Sequence, residues 1–587
     1  VRIPLTLPRR RFLVGGGTLL VFLAGVLYLG PRWVERRIVA RIVRAAAEQG
    51  LVATVKEVHV GFGTPIAITG LRIEKPGSWS VTAETIRVTL RFWGRGLVGR
   101  SRVAVGPVAV RGPGGLAIDA APSRWKIVDL PEGGRAAELE EPAKGLAIRW
   151  QPVDGGSRAE LLATEVPAGR MLTVRLGEPL FDPGVVGGAL HLNAGPGSVQ
   201  FDGELRLRGF RVGGEAGGHD LGPPTDVGIG FDGSGSVGQA RLDLARWRVE
   251  ADSVAAAGTL RVDDARRDPR IEGTLEVERA DLGRLLATAG LEPPKSAVPR
   301  PAGASGPVDL GVASLSVRFS GRVADPASFV VSQRLDFKPP ARPLPAIERL
   351  RGDFVHEAIL AGGGHRSIDV SPGSPDFIAY PEVPLLFVQT LLLGEDSAFF
   401  GHRGLDLSEL PAAILTNWAR GGAARGASTI SQQLAKNLFL TREKRMGRKL
   451  QELSLALLLE TRLGKERILE IYLNVIEWGP DLFGLRPAAR RYFDKEPRAL
   501  TPAQMALLVA LIPGPVKYQR SLASGHPSPG FRPLVDGLLA KLRSVDALTE
   551  EAYQAALEDE LLVRTDPSAP ADPGEPDDTM PADEPRP

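Results

Sequence analysis

The sequence predicts a multidomain chain with an N-terminal transmembrane helix, a mostly antiparallel β region and a mainly α-helical C-terminal domain. Three observations predict it. Residues Phe12 to Gly30 carry no charge and are long enough to cross a hydrocarbon core as a helix. From about residue 52 to 336 apolar residues recur with period two, the signature of half-buried strands. Beyond residue 375 apolar runs at helical spacing are interrupted by carboxylates, amides and cations, a costly arrangement unless chemistry needs it.

Length and composition set the outer limits. A chain of 587 residues exceeds one ordinary core, so several domains are expected. The absence of cysteine removes disulfides, thiolate zinc sites and cysteine nucleophiles together. Seven scattered histidines form no HExxH pair. The net charge of +3 conceals an acidic end, in which Asp566, Asp572, Glu575, Asp577, Asp578, Asp583 and Glu584 face Arg586 alone. The remainder is mildly basic, which suits an anionic lipid or pyrophosphate and is too diffuse for nucleic acid.

Residues 1–11 are expected in the cytoplasm, with Arg9, Arg10 and Arg11 as the positive-inside flank of the 12–30 span. A cleaved signal peptide would end in a small-x-small site, which Val26-Leu27-Tyr28-Leu29-Gly30-Pro31 lacks. In 31–51, Arg32, Arg36, Arg37, Arg41 and Arg44 alternate with Trp33, Val34, Ile38, Val39, Ile42 and Val43, giving a basic amphipathic helix. It can lie on lipid headgroups or pack on the next domain.

In the β-rich region, 52–290, Ile86, Val88, Leu90 and Phe92 alternate, as do Leu205 with Leu207 and Leu260 with Val262. Together with the anchoring helix and the Gly-Leu-Arg-Ile run at 70–73, this pattern resembles the AsmA/TamB-like envelope proteins. That resemblance implies a long curved sheet whose apolar face can hold acyl chains; a plain spacer between membrane and enzyme is the other reading. Proline clusters at 293–307 and 339–345 mark 291–374 as a linker with a small β segment. The final stretch, 565–587, is rich in Pro and acid and is expected to be disordered.

The blocks with chemical content fall in a C-terminal domain at 375–545, followed by a C-terminal helix at 546–564. Glu395-Asp396-x-x-Phe399-x-x-His402-x-Gly404 comes first, directly after the apolar run Leu385 to Leu393. If a helix continues through Gly394, then Glu395, Phe399 and His402 share a face. Desolvation there would raise a carboxylate toward the range of a working base; an acidic pair at a helix N-terminus is the structural alternative. Gly426 to Asn437 follows, with Ser428-Thr429 as an N-cap and Gln432, Gln433 and Lys436 able to face one cleft. Arg448-Lys449-x-x-Glu452 and Ile468-Leu469-Glu470-Ile471-Tyr472-Leu473-Asn474 complete the set.

Four blocks in this order resemble the peptidoglycan glycosyltransferases, the lysozyme-like transglycosylases of family 51, in their monofunctional form. Glu477-Trp478-Gly479-Pro480 and Ala488 to Phe493 extend the resemblance to about residues 375–545. It implies a lysozyme-like glycosyltransferase fold and polymerisation of lipid II into β-1,4 glycan strands, with inversion and release of undecaprenyl pyrophosphate. Glu395 and Glu452 take the catalytic positions. Asp396, Phe399, His402, Ser428, Thr429, Gln432, Gln433, Lys436, Asn437, Arg448, Lys449 and Asn474 take the substrate-binding ones, and Glu470 reads as structural. Ser397-Ala398 depart from the family, where an arginine is common. No cofactor is required, and no residue set is a certain metal site; a divalent cation, Mg or Mn, is compatible with the leaving group.

The expected partners are lipid II, the growing glycan, the inner membrane and cell-wall synthesis proteins, with no nucleic acid. The expected place is the bacterial inner membrane, single-pass, with the catalytic domain in the periplasm. Too few residues follow Pro515 for a penicillin-binding domain, so no transpeptidase activity is expected. The alternative is a lipid-binding or lipid-transport envelope protein with a vestigial transferase domain.

Overall fold

The computed structural model of the protein describes residues 33–564, less 49, 61–64, 77, 90–91, 94–95, 98–100, 113–115, 131–133, 177, 213–222, 237, 266, 290, 295, 299–306, 361–362, 409–427 and 441–447. The expected span Phe12–Gly30, the tail 565–587 and the glycine-rich lead at 421–427 lie outside the described residues. Among the described residues no helix is long and apolar enough to cross a membrane.

The first element, helix α1 at 33–48, is the expected amphipathic one. Trp33 is exposed with Arg37 stacked over its ring, while Glu35 accepts a hydrogen bond from the Val60 amide. The helix thus docks on the first strands through a polar contact and leaves its tryptophan open.

Twenty strands from Val52–His59 to Asp325–Lys338 form one sheet, built by antiparallel neighbours. Alternation assigns each strand an apolar and a charged face. The register aligns the apolar sides into a row that crosses the sheet: Ile127, Ala137, Ile148, Leu161, Leu190, Gly203, Phe231, Trp247, Gly258, Leu275, Val317 and finally Gln333. Aromatic rings lie over the glycines opposite them. Phe231 and Trp247 each come to 2.8 Å from where a Cβ of Gly203 or Gly258 would stand. The missing Cβ at those glycines lets the rings lie down, so alanine there would lift them. From Ile127 to Leu275 the large side chains of the row are only half-buried. The charged face carries ladders of exposed ion pairs, such as Arg248–Glu204 at 2.9 Å and Arg261–Asp243 at 2.9 Å.

The sheet runs further than the 52–290 boundary. Strand Val312–Arg322 pairs with Arg270–Asp281 on one side and Asp325–Lys338 on the other, so the first proline cluster falls between two paired strands of the sheet. Proline clusters mark a break in hydrogen bonding and cannot distinguish a long loop from a domain linker. The small β segment of 291–374 is present as the hairpin Phe354–Ile359 with His365–Val370.

Helix α2 (Leu282–Thr288) follows strand Arg270–Asp281 within the sheet region, and helices α3 (Leu385–Glu395), α4 (Ile430–Phe439), α5 (Arg448–Arg462), α6 (Lys465–Val475), α7 (Leu485–Phe493), α8 (Pro502–Leu511), α9 (Arg532–Ser544) and α10 (Glu550–Leu557) belong to the C-terminal part. The core of this part runs without a break from Leu286 and Leu310 near the sheet to Leu542 and Val563. α3 buries Phe387, Val388, Thr390 and Leu391, with α8 and α9 against it, and its other apolar residues stay half-buried or, at Leu385, exposed. Gly394 belongs to this packing. A Cβ there would meet Val509 at 2.8 Å and Leu538 at 3.3 Å. Close approach of α3 to α8 and α9 therefore fixes where Glu395, the next residue, emerges.

Candidate active site

α3 does continue through Gly394 but stops at Glu395, because Asp396 adopts φ −164° and ψ 76°. Glu395, Phe399 and His402 therefore do not share one helical face, contrary to the expectation from spacing. The chain turns instead, and the turn is tied down by buried polar bonds. Asp396 accepts from the first amide of α4, Ile430, at 2.8 Å, and from His402 Nε2 at 2.9 Å. The Gly404 amide donates to His402 Nδ1 at 3.1 Å, so the imidazole is protonated on Nε2 where it meets the carboxylate. Gly404, at φ +88°, offers its carbonyl to Thr429 Oγ1 at 3.0 Å and to Gln432 Nε2 at 3.3 Å.

These bonds join the end of α3 to the start of α4. The helix-capping reading of the acidic pair holds for Asp396, which caps its neighbour α4 rather than its own helix. Asp396, Phe399 and His402, expected among the substrate-binding residues, are buried. Phe399 is fully enclosed, with the Lys465 ammonium 4.2 Å from its ring centre. Thr429 is likewise spent as the N-cap, accepting from the Gln432 amide at 3.2 Å. Asn474 is 3% exposed and clamps Ile378 by its carbonyl (2.8 Å) and amide (2.9 Å), with a further bond to the Glu470 carbonyl. It positions the approach to α3 and has no free N–H for a ligand.

Glu395 itself is half-buried. Gln433 Nε2 donates to its Oε2 at 2.7 Å, and the buried Tyr472 hydroxyl donates to Gln433 Oε1 at 2.8 Å. The tyrosine thus directs the amide nitrogen at the carboxylate. Burial pushes the Glu395 carboxyl above its ordinary value, while the Gln433 bond and the Lys436 charge pull the other way. The result is a base raised by its surroundings and moderated by a cation.

Lys436 lies between the two acids, attracted by Glu452 and by Glu395 and repelled by Arg448 and Lys449. Burial holds its ammonium below the usual lysine range. Glu452 is 6% exposed and takes Arg448 Nε at 3.0 Å and Lys449 Nζ at 3.2 Å. Lys449 also donates to Ser428 Oγ at 2.6 Å and Gln432 Oε1 at 2.7 Å. All three ammonium donors are used, so Lys449 ties α5 to α4. Gln432 is held between Lys449 and Gly404. Asn437 donates back to the Gln433 carbonyl at 3.0 Å and stays half-buried, as does Ser428.

The sequence blocks therefore converge on one place, but in two layers. Glu395, Gln433, Lys436, Arg448 and Glu452, flanked by Ser428 and Asn437, form the charged cleft. Asp396, Phe399, His402, Thr429, Gln432, Lys449 and Asn474 hold its walls. Glu470 is structural, as expected: it pairs with Arg467 and accepts from the Tyr380 amide at 2.8 Å. Sequence reasoning missed Tyr472, which sat unremarked in the last block, and the chain Ser431–Glu460–Lys465 behind α4. Among the described residues no three acidic or histidine side chains gather to hold a metal ion.

Fold and cleft define a class of helical enzyme domain with a raised carboxylate facing a cationic wall. A family model described as Transglycosylase matches residues 366–527. The biosynthetic peptidoglycan transglycosylase of Pseudomonas aeruginosa is 36% identical over 206 residues, covering 35% of this chain and 82% of that protein. The protein of the same name from Methylobacillus flagellatus is 42% identical over 144 residues, covering 24% of this chain. The chain belongs to this transglycosylase family. Its match spans 63% of the length of the Methylobacillus protein, so somewhat less than two thirds. A crystal structure of penicillin-binding protein 1A from Haemophilus influenzae aligns with 36% of this chain and 22% of its own at 17% identity, with a TM-score of 0.19, too low to bear on the fold.

Proposed function

We propose that the chain polymerises lipid II into β-1,4 glycan strands at the inner membrane of a bacterium, with the helical domain on the periplasmic side. The observation that carries this reading is the pairing of a burial-raised carboxylate, Glu395, with a cationic wall that one carboxylate, Glu452, holds in place. Glu395 takes the proton from the acceptor sugar's 4-hydroxyl as its oxygen attacks the anomeric carbon of the donor. The bond to the pyrophosphate breaks on the opposite side, so the configuration inverts and undecaprenyl pyrophosphate leaves. Lys436 and Arg448 meet the charge that develops on the departing phosphate. A hydrolase acting on finished glycan would have no such charge to balance.

Incubating the purified full-length protein with lipid II tests the reading. The expected product is a polymer that a muramidase cuts to disaccharide units, which reports β-1,4 linkage. Lipid II recovered unchanged under conditions in which the protein is folded would contradict it.

A second reading concerns the β region alone. Among the described residues its apolar row is only half-buried from Ile127 to Leu275, which favours contact with hydrocarbon over a role as spacer. Lipid binding there is compatible with the enzymatic reading. A lipid-binding protein with a vestigial transferase is disfavoured by the intact Glu395, Lys436, Arg448 and Glu452.

A further inference from the structure

The last side chain of the apolar row is the one that breaks its chemistry. Strand Asp325–Lys338 places Phe329, Val331, Leu335 and Phe337 on the apolar face at period two, yet the position between Val331 and Leu335 is Gln333. Its cross-strand neighbour is Val317, which is buried. An amide in an apolar register costs desolvation unless both of its ends are paired. Both are. Nε2 donates to the Leu405 carbonyl at 2.9 Å, and Oε1 accepts from the Leu407 amide at 3.1 Å. Gln333 thus reads two alternate backbone groups of the catalytic loop as a neighbouring strand would.

The loop it holds carries Gly404, whose carbonyl takes Thr429 and Gln432 at the start of α4. The same unit grips the cleft elsewhere. Ser296 donates to the Phe439 carbonyl at the far end of α4 (3.1 Å), and Gln451, beside Glu452, donates to the Glu292 carbonyl (2.6 Å). Gln333 lies before residues 366–527, the part matched by the family model.

We infer that the β unit is a working part of the catalytic cleft and that Gln333 is a positioning residue for the transfer reaction. It acts through Gly404 and the first turn of α4 on Gln433 and Lys436, which stand over Glu395. The inference rests on the transglycosylase reading for its activity consequence, and on geometry alone for its structural one.

Gln333→Leu separates positioning from stability, because leucine belongs in this row on hydrophobic grounds. In the full-length protein its melting temperature should stay close to wild type, the apolar gain offsetting the two backbone groups that lose their partner. The Leu407 amide should lose hydrogen-exchange protection, and lipid II turnover should fall about tenfold or more with little change in KM, as expected when catalytic groups are displaced slightly. Gln333→Ala should show the same loss of protection and turnover. Wild-type protection and wild-type turnover in Gln333→Leu would overturn the inference. If wild type makes no polymer, the functional reading fails, and the exchange of Leu407 still decides whether Gln333 holds the loop.

Discussion

At Glu395 one carboxylate is set by burial and by neighbours whose effects oppose it. Burial raises its affinity for protons, and Gln433 and Lys436 lower it. A general base works only when deprotonated, so the acidic limb of the pH–rate profile should lie above the ordinary carboxylate range. Gln433→Leu removes a donor to the charged form, so the carboxylate's pKa rises and the limb should move to higher pH. A limb that stays in place or moves down would show that Gln433 does not tune this base. Lys436→Met should cost about 10²-fold in turnover, the scale of one lost donor to developing charge, with little change in melting temperature. Glu470→Ala should do the reverse: it leaves the Tyr380 amide without its partner, takes the carboxylate from Arg467, which keeps the Leu350 and Gly352 carbonyls, and costs about 1–3 kcal/mol in stability. Turnover and denaturation midpoints measured on both variants decide, and equal losses of both quantities would contradict the assignment.

Among the elements, the hairpin Phe354–Ile359/His365–Val370 carries a pH response of its own. His356 is 4% exposed, and burial, aided by Arg349, depresses its imidazole from 6.5 to about 4. The folded state binds this proton less readily than the unfolded one, so its stability contribution is present above pH 6.5. It is lost as pH falls from there to about 4, by an amount on the order of 3 kcal/mol. His356→Leu should flatten that part of the curve in chemical denaturation, and an unchanged slope would sink the idea. Elements also show how far the sequence could be read. Period two found the strands, and the Thr429 signal marked the start of α4. The end of α3 was not legible from spacing, because what stops it is Asp396 turning to cap α4, a partner 34 residues away. The same limit applies to Asn474, whose clamp on Ile378 spans 96 residues. Composition identifies such residues as polar in an apolar place; only the fold says whether they face a ligand or a backbone.

For the whole molecule, the sheet and the helical domain share one continuous core, and the cleft lies in the part nearest their junction. Period two carried the strands past residue 290 to about 336, the proline cluster at 293–307 alone argued for a boundary there, and nothing in the sequence reading singled out Gln333. If the half-buried apolar row meets lipid, a photo-crosslinker at Leu207 should capture it from membranes, whereas one at Arg206, on the charged face, should not. Equal capture at both would reject a specific apolar face. The central claim is that Glu395 is the base of a glycosyl transfer, and its most direct test is lipid II polymerisation by full-length Glu395→Gln beside wild type. The glutamine keeps the shape and removes the basicity, so turnover should fall by about 10²-fold or more while the melting temperature holds. Near wild-type polymerisation by the folded variant would contradict the account.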